Sequence, residues 1–133
     1  MERIAHCQCG SLRAIATGEP EIVNICHCRA CQRRTGAAMH YGAYFRKAQV
    51  RLEGGSTVFV RVADSGRKME FHFCPTCGTT LYWNSQARPD HYGIAAGAFA
   101  DPKFPAPTYS VWEESKHSWL ELPSEVQGFE QAR

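Results

Sequence analysis

Seven cysteines dominate the chemistry that this sequence can perform, and they fall into three short groups. The groups are Cys7 and Cys9; Cys26, Cys28 and Cys31; and Cys74 and Cys77. In a reducing compartment, cysteines that lie one or two residues apart are typical of metal or redox sites, because disulfides are rare there. An odd number of cysteines would also leave one thiol over in a framework of disulfides. Metal binding is therefore the favoured interpretation.

The stretch CPTCG at 74–78 is typical of a zinc knuckle, in which a tight turn directs two sulfurs toward one ion. A knuckle needs a second pair of ligands, and CQCG at 7–10 supplies the free pair. Joining the pairs predicts a structural zinc site with four ligands, which are Cys7, Cys9, Cys74 and Cys77. A closed four-thiolate site of this kind contributes directly to folding.

The remaining cysteines, Cys26, Cys28 and Cys31, offer three sulfurs where zinc usually takes four ligands. One interpretation is a second structural site, closed by an acidic residue, His40 or His27, although His27 should point away from the ligands on either side of it. The other interpretation is an open fourth position, as catalytic zinc requires. Three thiolates make zinc a poor Lewis acid for hydrolysis, but they suit an incoming thiol that completes a four-sulfur shell. The residues thus indicate a site that captures a thiol.

Short β-strands must position these cysteines. Segments of β-like composition, bounded by turn residues, predict strands at 12–18, 21–25, 40–45, 49–53, 57–62, 68–73, 80–83, 91–97 and 109–112. Only CRACQRRTG has helical character, and it predicts a short helix that follows Cys28 and ends at Gly36. The sequence therefore predicts a mainly β fold. We expect a single zinc-binding domain over residues 1–133, with short antiparallel strands and one short helix after the C-x-C-x-x-C cluster.

Composition excludes several classes of protein. The chain has 133 residues, of which 44% are hydrophobic and 21% charged, and its formal net charge is +2. This length is enough to bury a core, whereas the charge is too small to argue for a nucleic-acid partner. No apolar run reaches the length of a signal peptide or a membrane span. We expect a cytoplasmic protein that binds neither nucleic acid nor a membrane.

Five motifs follow one another along nearly the whole chain. They are C-x-C-G at 7–10, C-H-C-x-x-C-x-x-x-x-G at 26–36, F-C-P-x-C-G-x-x-L at 73–81, G-x-x-x-D-P at 97–102 and W-x-x-x-P at 119–123. Their order resembles the glutathione-dependent formaldehyde-activating enzyme family, which also includes centromere protein V. The resemblance implies two zinc ions per chain: a structural one on the four-cysteine set, and a catalytic one on the three-cysteine set. It further implies condensation of glutathione with formaldehyde to S-hydroxymethylglutathione, a carbon–sulfur lyase reaction run in reverse.

Residues beside the three-cysteine set are candidates for handling glutathione, or a similar small thiol, and a small aldehyde. Arg29, Arg33 and Arg34 could pair with the carboxylates of glutathione, or they could form a solvated helix face. His40 and Tyr41 are candidates for protonating the oxygen of the adduct, with water as the alternative. Three other functions stay open at this point: a zinc-stabilised binding or scaffold module, a thiol carrier, and a zinc–thiolate redox switch.

Overall fold

The computed structural model describes residues 1–133, which form eleven short strands and one short α-helix. The strands are β1 (Glu2–His6), β2 (Arg13–Thr17), β3 (Ile22–Cys26), β4 (His40–Arg46), β5 (Val50–Glu53), β6 (Thr57–Val62), β7 (Lys68–Phe73), β8 (Thr80–Ser85), β9 (Arg88–Ala95), β10 (Tyr109–Val111) and β11 (Gln127–Gly128). The helix α1 spans Arg29–Thr35, and 3₁₀ turns lie at Lys47–Gln49, Ala96–Phe99 and Glu113–Ser115. The prediction of a mainly β protein with one short helix is confirmed. No helix here combines the length and the hydropathy that crossing a membrane would require.

Each of the nine predicted segments overlaps one strand, but two strands were not predicted. β1 lies outside the segments because its sequence, ERIAH, holds only two adjacent apolar residues and shows no alternation. β11 has two residues, too few for any pattern. At β9 the predicted segment begins too late, since the strand starts at Arg88 and gives way to a 3₁₀ turn at Ala96.

The strands form two sheets. The small sheet has the order β1-β2-β5, and the large sheet has the order β11-β10-β3-β4-β9-β8-β7-β6. Nearly all pairs are antiparallel, as predicted, but β10 runs parallel to both of its neighbours, β3 and β11. This difference arises because the chain enters β10 from the proline-rich segment 100–108 and not from a hairpin, which would have reversed its direction.

The main core lies between the two sheets and comprises fifteen buried residues. The small sheet contributes small side chains, including Ala5 and Ala14, while the large sheet contributes bulkier ones, including Phe45 and Ile94. Side chains alternate along a strand, so Tyr44 of β4 points away from this core. With Phe71 and Trp83, Tyr44 forms a second buried cluster on the other face of the large sheet.

A β-bulge in β8 decides which of its side chains face that second cluster. Phe73 of β7 pairs with Thr80, whereas the preceding pair in the ladder involves Tyr82, so Leu81 is the extra residue. Leu81 and Tyr82 both belong to the main core as a result. Thr80 and Trp83, although three positions apart, both line cavities on the opposite face of the sheet.

Candidate functional site

The first cysteine cluster links the two sheets. The Sγ atoms of Cys7, Cys9, Cys74 and Cys77 all lie within 4.8 Å of one another. Cys7 follows the last residue of β1 in the small sheet, and Cys74 follows the last residue of β7 in the large sheet. The structure therefore brings together the two cysteine pairs that the sequence analysis joined.

Backbone N–H groups point at the sulfurs of this cluster. The N–H of Leu12 donates to Cys7 Sγ at 3.2 Å. Those of Thr76 and Cys77 donate to Cys74 Sγ at 3.4 and 3.5 Å. Hydrogen bonds of this kind stabilise thiolates, which are the form in which cysteine binds a metal ion.

Two hydroxyl groups, which the sequence analysis did not single out, also contact this cluster. Ser11 Oγ lies 3.1 Å from Cys9 Sγ and 3.3 Å from Cys74 Sγ, and it lowers the pKa of Cys74 to about 7. The hydroxyl of Thr79 lies 3.4 Å from Cys77 Sγ and lowers the pKa of that thiol to about 5. Four convergent sulfurs with such donors fit a closed metal site.

The second cysteine cluster lies at the start of α1. The Sγ atoms of Cys26, Cys28 and Cys31 lie within 4.8 Å of one another. Cys26 ends β3, Cys28 is the N-cap residue of α1, and the N–H of Cys31 donates to Cys28 Sγ at 3.3 Å. At the other end of the helix, Gly36 adopts a left-handed conformation with φ 65°, as its sequence position predicts.

No fourth protein ligand joins this second cluster. No histidine nitrogen or carboxylate oxygen lies with the three sulfurs inside the same 4.8 Å limit. His27 is buried, and its Nε2 lies 2.8 Å from Ser110 Oγ. His40, which the sequence left as a possible fourth ligand, directs its Nδ1 to the guanidinium of Arg34 at 2.9 Å. The three sulfurs are therefore the only protein donors that the fold brings together here.

The electrostatics of the three thiols favour one thiolate. Hydrogen bonds from the S–H groups of Cys26 and Cys31 lower the pKa of Cys28 to about 2, and the positive charge of Arg61 adds to the effect. The same hydrogen bond to Cys28 raises the pKa of Cys26. Three convergent sulfurs, with no other donor type beside them, fit a soft or borderline cation such as zinc.

Arg34 connects α1 to the large sheet. Its guanidinium carbon lies 4.6 Å from the centre of the Phe71 ring and 5.4 Å from that of the Trp83 ring. Because a guanidinium can only donate, His40 Nδ1 accepts, and the neutral imidazole carries its proton on Nε2. Burial and the charge of Arg34 lower the pKa of His40 to about 3. The ring is therefore uncharged at neutral pH.

Two glycines make room for the aromatic side chains of this site. A Cβ atom at Gly42 of β4 would lie 2.5 Å from His40 Nε2. A Cβ atom at Gly93 of β9 would overlap the indole of Trp83, which is the partner of Gly93 on β8. Both rings thus approach backbone that carries no side chain, and a larger residue at either position would displace them.

Two adjoining cavities border the second cysteine cluster. The first has a volume of about 500 Å³ and is lined by all three sulfurs of the cluster. The second has a volume of about 530 Å³ and is bordered by Cys31 alone among the cysteines. Ala30, Cys31, Arg34, Arg61 and Phe71 line both cavities, so these residues form the boundary between them.

The structure separates the residues that the sequence proposed for substrate handling. Arg29 and Arg34 line the first cavity, and Arg33 and Arg34 line the second. His40 also lines the first cavity. Tyr41 lines neither, because neighbours along a strand face opposite sides of the sheet. Its ring packs against the main core, and its hydroxyl donates to the carbonyl of Pro105 at 2.7 Å.

Several cavity residues escaped the sequence analysis. The first cavity is also lined by Asp64, Glu114 and Trp112, and Arg61 borders both cavities. The alternation in TVFVRV was a usable signal for Arg61, since it places Phe59 and Arg61 on one face of β6. No local signal marks Trp112, whose φ of 58° is unusual for a bulky residue and depends on its surroundings.

Comparison with known proteins decides the family. The sequence matches the family described as glutathione-dependent formaldehyde-activating enzyme over residues 2–115. The chain belongs to this family. Among solved structures, a Rhodobacter sphaeroides protein determined by Northeast Structural Genomics is similar, with 22% sequence identity and a TM-score of 0.51. The similarity covers 71% of this chain and 85% of that chain, and it shows a shared fold. Comparison with curated proteins gives no match.

Family membership indicates an enzyme related to formaldehyde activation. The two cysteine clusters of this family member could each hold a metal ion, and their sulfur donors are consistent with zinc.

Proposed function

We propose that this protein is a zinc-dependent carbon–sulfur lyase that joins glutathione, or a similar thiol, to formaldehyde or another small carbonyl compound. One observation carries the proposal: three thiols without a fourth protein ligand line a cavity large enough for a small peptide. Membership of the family supports the same chemistry. We further propose that residues 1–133 act as one domain, because both sheets contribute to one buried cluster.

In this proposal each chain holds two zinc ions. Cys7, Cys9, Cys74 and Cys77 would hold a structural ion between the sheets, and Cys26, Cys28 and Cys31 would hold the second ion. A zinc ion held by these three sulfurs would supply a fourth coordination position suited to a thiolate.

The charges around the first cavity complement those of glutathione, which carries two carboxylates and one ammonium group. Arg29, Arg34 and Arg61 supply positive charge, while Asp64 and Glu114 supply negative charge. A volume of about 500 Å³ lies within the usual range for small-molecule sites. The cavity can therefore pair both carboxylates and the ammonium group of one tripeptide.

Addition of a thiol to a carbonyl needs a thiolate and a partner for the negative charge that develops on oxygen. Arg34 and Arg61 place two guanidinium groups at the edge of the cluster. Their positive charges stabilise both the thiolate and the negative charge that develops on the carbonyl oxygen. The sulfur–carbon bond forms as the π electrons of the carbonyl move to oxygen, which then takes a proton to give a hemithioacetal. His40 acts as a positioning residue in this scheme, because its Nδ1 holds the Arg34 guanidinium.

Exchange NMR with ¹³C-formaldehyde and glutathione tests this function, because it measures adduct formation at equilibrium against the fast uncatalysed reaction. We expect zinc-loaded protein in catalytic amount to raise the exchange rate. Arg34→Gln should lower the protein-dependent rate by about 10²-fold, the usual scale for one donor to a developing oxyanion. The matched control is Arg67→Gln, since Arg67 is exposed in the β6–β7 turn and lines neither cavity. No rate increase by the parent protein would contradict the proposal.

Binding measurements separate this function from its rivals. Calorimetry should show that glutathione binds the zinc-loaded protein more tightly than S-methylglutathione, which has the same charges but no free thiol. Equal affinities for the two peptides would show that the free thiol does not contribute to binding. If neither peptide binds, a scaffold role would be favoured.

A further inference from the structure

The second cavity lies between α1 and the face of strands β6 and β7. Its volume is about 530 Å³, and no acidic residue lines it. Three phenylalanines and three arginines make up most of its wall: Phe59, Phe71, Phe73, Arg33, Arg34 and Arg61. An apolar wall with convergent positive charge is suited to an anionic ligand that has an apolar body.

The sheet register places these side chains on one face. Phe59 of β6 pairs directly with Phe71 of β7, so both rings point to the same side. Arg61 shares that side because it is two positions from Phe59. Helix α1 borders the same cavity and contributes Arg33 and Arg34. The cavity is thus a product of regular secondary structure and not of a loop.

Phe59 lies at the rim and is 60% exposed, which is unusual for a phenylalanine beside a charged cavity. Exposed apolar groups around a concave site commonly mark a contact with a ligand. Formaldehyde has a single carbon and no charge, so it would use neither the phenylalanines nor the arginines. The composition of the second cavity therefore calls for a larger carbonyl compound.

We propose that the second cavity binds the carbonyl substrate, and that this substrate is an aldehyde with an aryl or similar apolar body and a carboxylate. The proposal rests on the proposed thiol addition, for which it names the substrate class. The phenylalanines pack against the apolar body, and Arg33 with its neighbours pairs with the carboxylate.

The boundary between the cavities explains how two reactants meet. Cys31, Arg34 and Arg61 border both cavities, so a thiol in the first and an aldehyde in the second approach each other at these residues. The reaction balances without any oxidant: the thiol loses its proton, sulfur bonds to the aldehyde carbon, and the oxygen takes one proton. The product is the hemithioacetal of the carboxylated aldehyde.

Calorimetry with 4-formylbenzoate and its uncharged methyl ester, both without thiol, tests the binding step on zinc-loaded protein. These probes share the aryl aldehyde and differ in the carboxylate. We expect 4-formylbenzoate to bind about tenfold more tightly than the ester, as one charge-assisted contact implies.

Two variants and two matched controls locate the site. Phe59→Ala should weaken both probes, whereas Arg33→Gln should weaken only 4-formylbenzoate. The controls are Val60→Ala, since Val60 is an exposed neighbour of Phe59 on the other face of β6, and Arg67→Gln. Both controls should bind the probes as the parent protein does. All four positions are exposed, so the variants should fold, which zinc content and circular dichroism check.

The outcomes distinguish this proposal from the proposed function. If 4-formylbenzoate does not bind while formaldehyde exchange is accelerated, the proposal fails and the thiol addition stands. Binding that Phe59→Ala and Arg33→Gln leave unchanged would also overturn it, because the probe would then lie elsewhere. Binding that depends on both residues, in a protein that accelerates no addition, would support the cavity as an anionic aldehyde site and refute the lyase function.

Discussion

His40 is a buried histidine whose environment opposes its protonation. Its pKa falls from 6.5 to about 3 because the ring is buried and faces Arg34. Between these two values the unfolded chain binds a proton at this position that the folded protein does not. The free energy of unfolding should therefore decrease as pH falls below 6.5, with a slope of up to about 1.4 kcal/mol per pH unit from this residue.

The variant His40→Gln should flatten this pH dependence. Glutamine keeps an acceptor for Arg34 but has no titrating ring, so the proton uptake on unfolding is lost. Urea unfolding of both proteins between pH 7.5 and 5.5 measures the two slopes, with zinc content checked at each pH. Equal slopes at equal zinc content would show that His40 contributes nothing to the acid sensitivity.

At the scale of residues, the sequence predicted the cysteine groupings and missed most of their surroundings. Both groupings were predictable because x and x-x spacings allow few other uses of cysteine in a reducing compartment. The contact between Arg34 and His40 was not predictable, since it depends on how the chain returns from α1 into β4. The opposite directions of His40 and Tyr41 could have been read from strand alternation, once β4 was assigned.

Glycine at position 93 allows strands β8 and β9 to hold the indole of Trp83 against the sheet. Trp83 is 1% exposed and contacts the rings of Tyr44, Phe71 and His40. A methyl group at Gly93 would overlap the indole, so the ring would have to shift away from its contacts with these neighbouring rings. Gly93→Ala should therefore destabilise the protein by about 1–3 kcal/mol, the usual cost of overpacking.

The control for this prediction is Gly55→Ala. A Cβ atom at Gly55 would meet nothing within 4 Å, and the residue does not have a positive φ. The control should leave the free energy of unfolding unchanged or slightly higher. Urea unfolding measures both variants, and tryptophan fluorescence of folded Gly93→Ala should reveal a displaced indole. Equal stabilities for the two variants would mean that Trp83 moves at no cost.

At the scale of elements, the local sequence was enough to locate α1, but it did not determine how neighbouring strands pair in register. The helix begins after Cys28 and ends before Gly36 because a side-chain acceptor and a left-handed glycine bound it. The bulge at Leu81 has no such signal: it depends on the pairing of β7 with β8, and it decides that Thr80 and Trp83 both face the cavities. The second cavity could not be predicted for this reason.

At the scale of the whole molecule, the two cysteine clusters connect different parts of the fold. The four-cysteine cluster joins residues that follow β1 in one sheet and β7 in the other, so an ion held there restrains the two sheets against each other. The three-cysteine cluster joins only β3 and α1, which adjoin in the chain. We therefore expect the four-cysteine cluster to stabilise the fold and the three-cysteine cluster to bind the ligand.

Paired variants, Cys9→Ser and Cys28→Ser, test this division of roles. Each removes one sulfur from one cluster and should lower the zinc content from about two ions per chain to about one, the usual result of breaking one thiolate site. Cys9→Ser should reduce the Tm strongly, because the sheets lose a shared ligand set. Cys28→Ser should change the Tm much less, because the core between the sheets does not include Cys28, but it should abolish glutathione binding.

Elemental analysis, thermal unfolding and calorimetry with glutathione distinguish the possible results. Removal of zinc from the parent protein with a chelator should both lower the Tm and abolish glutathione binding, because it empties both clusters. A large loss of Tm in Cys28→Ser with retained glutathione binding would reverse the assignment of the two sites. Glutathione would then bind away from the three thiols, so neither the lyase proposal nor the meeting of two substrates at Cys31 would hold.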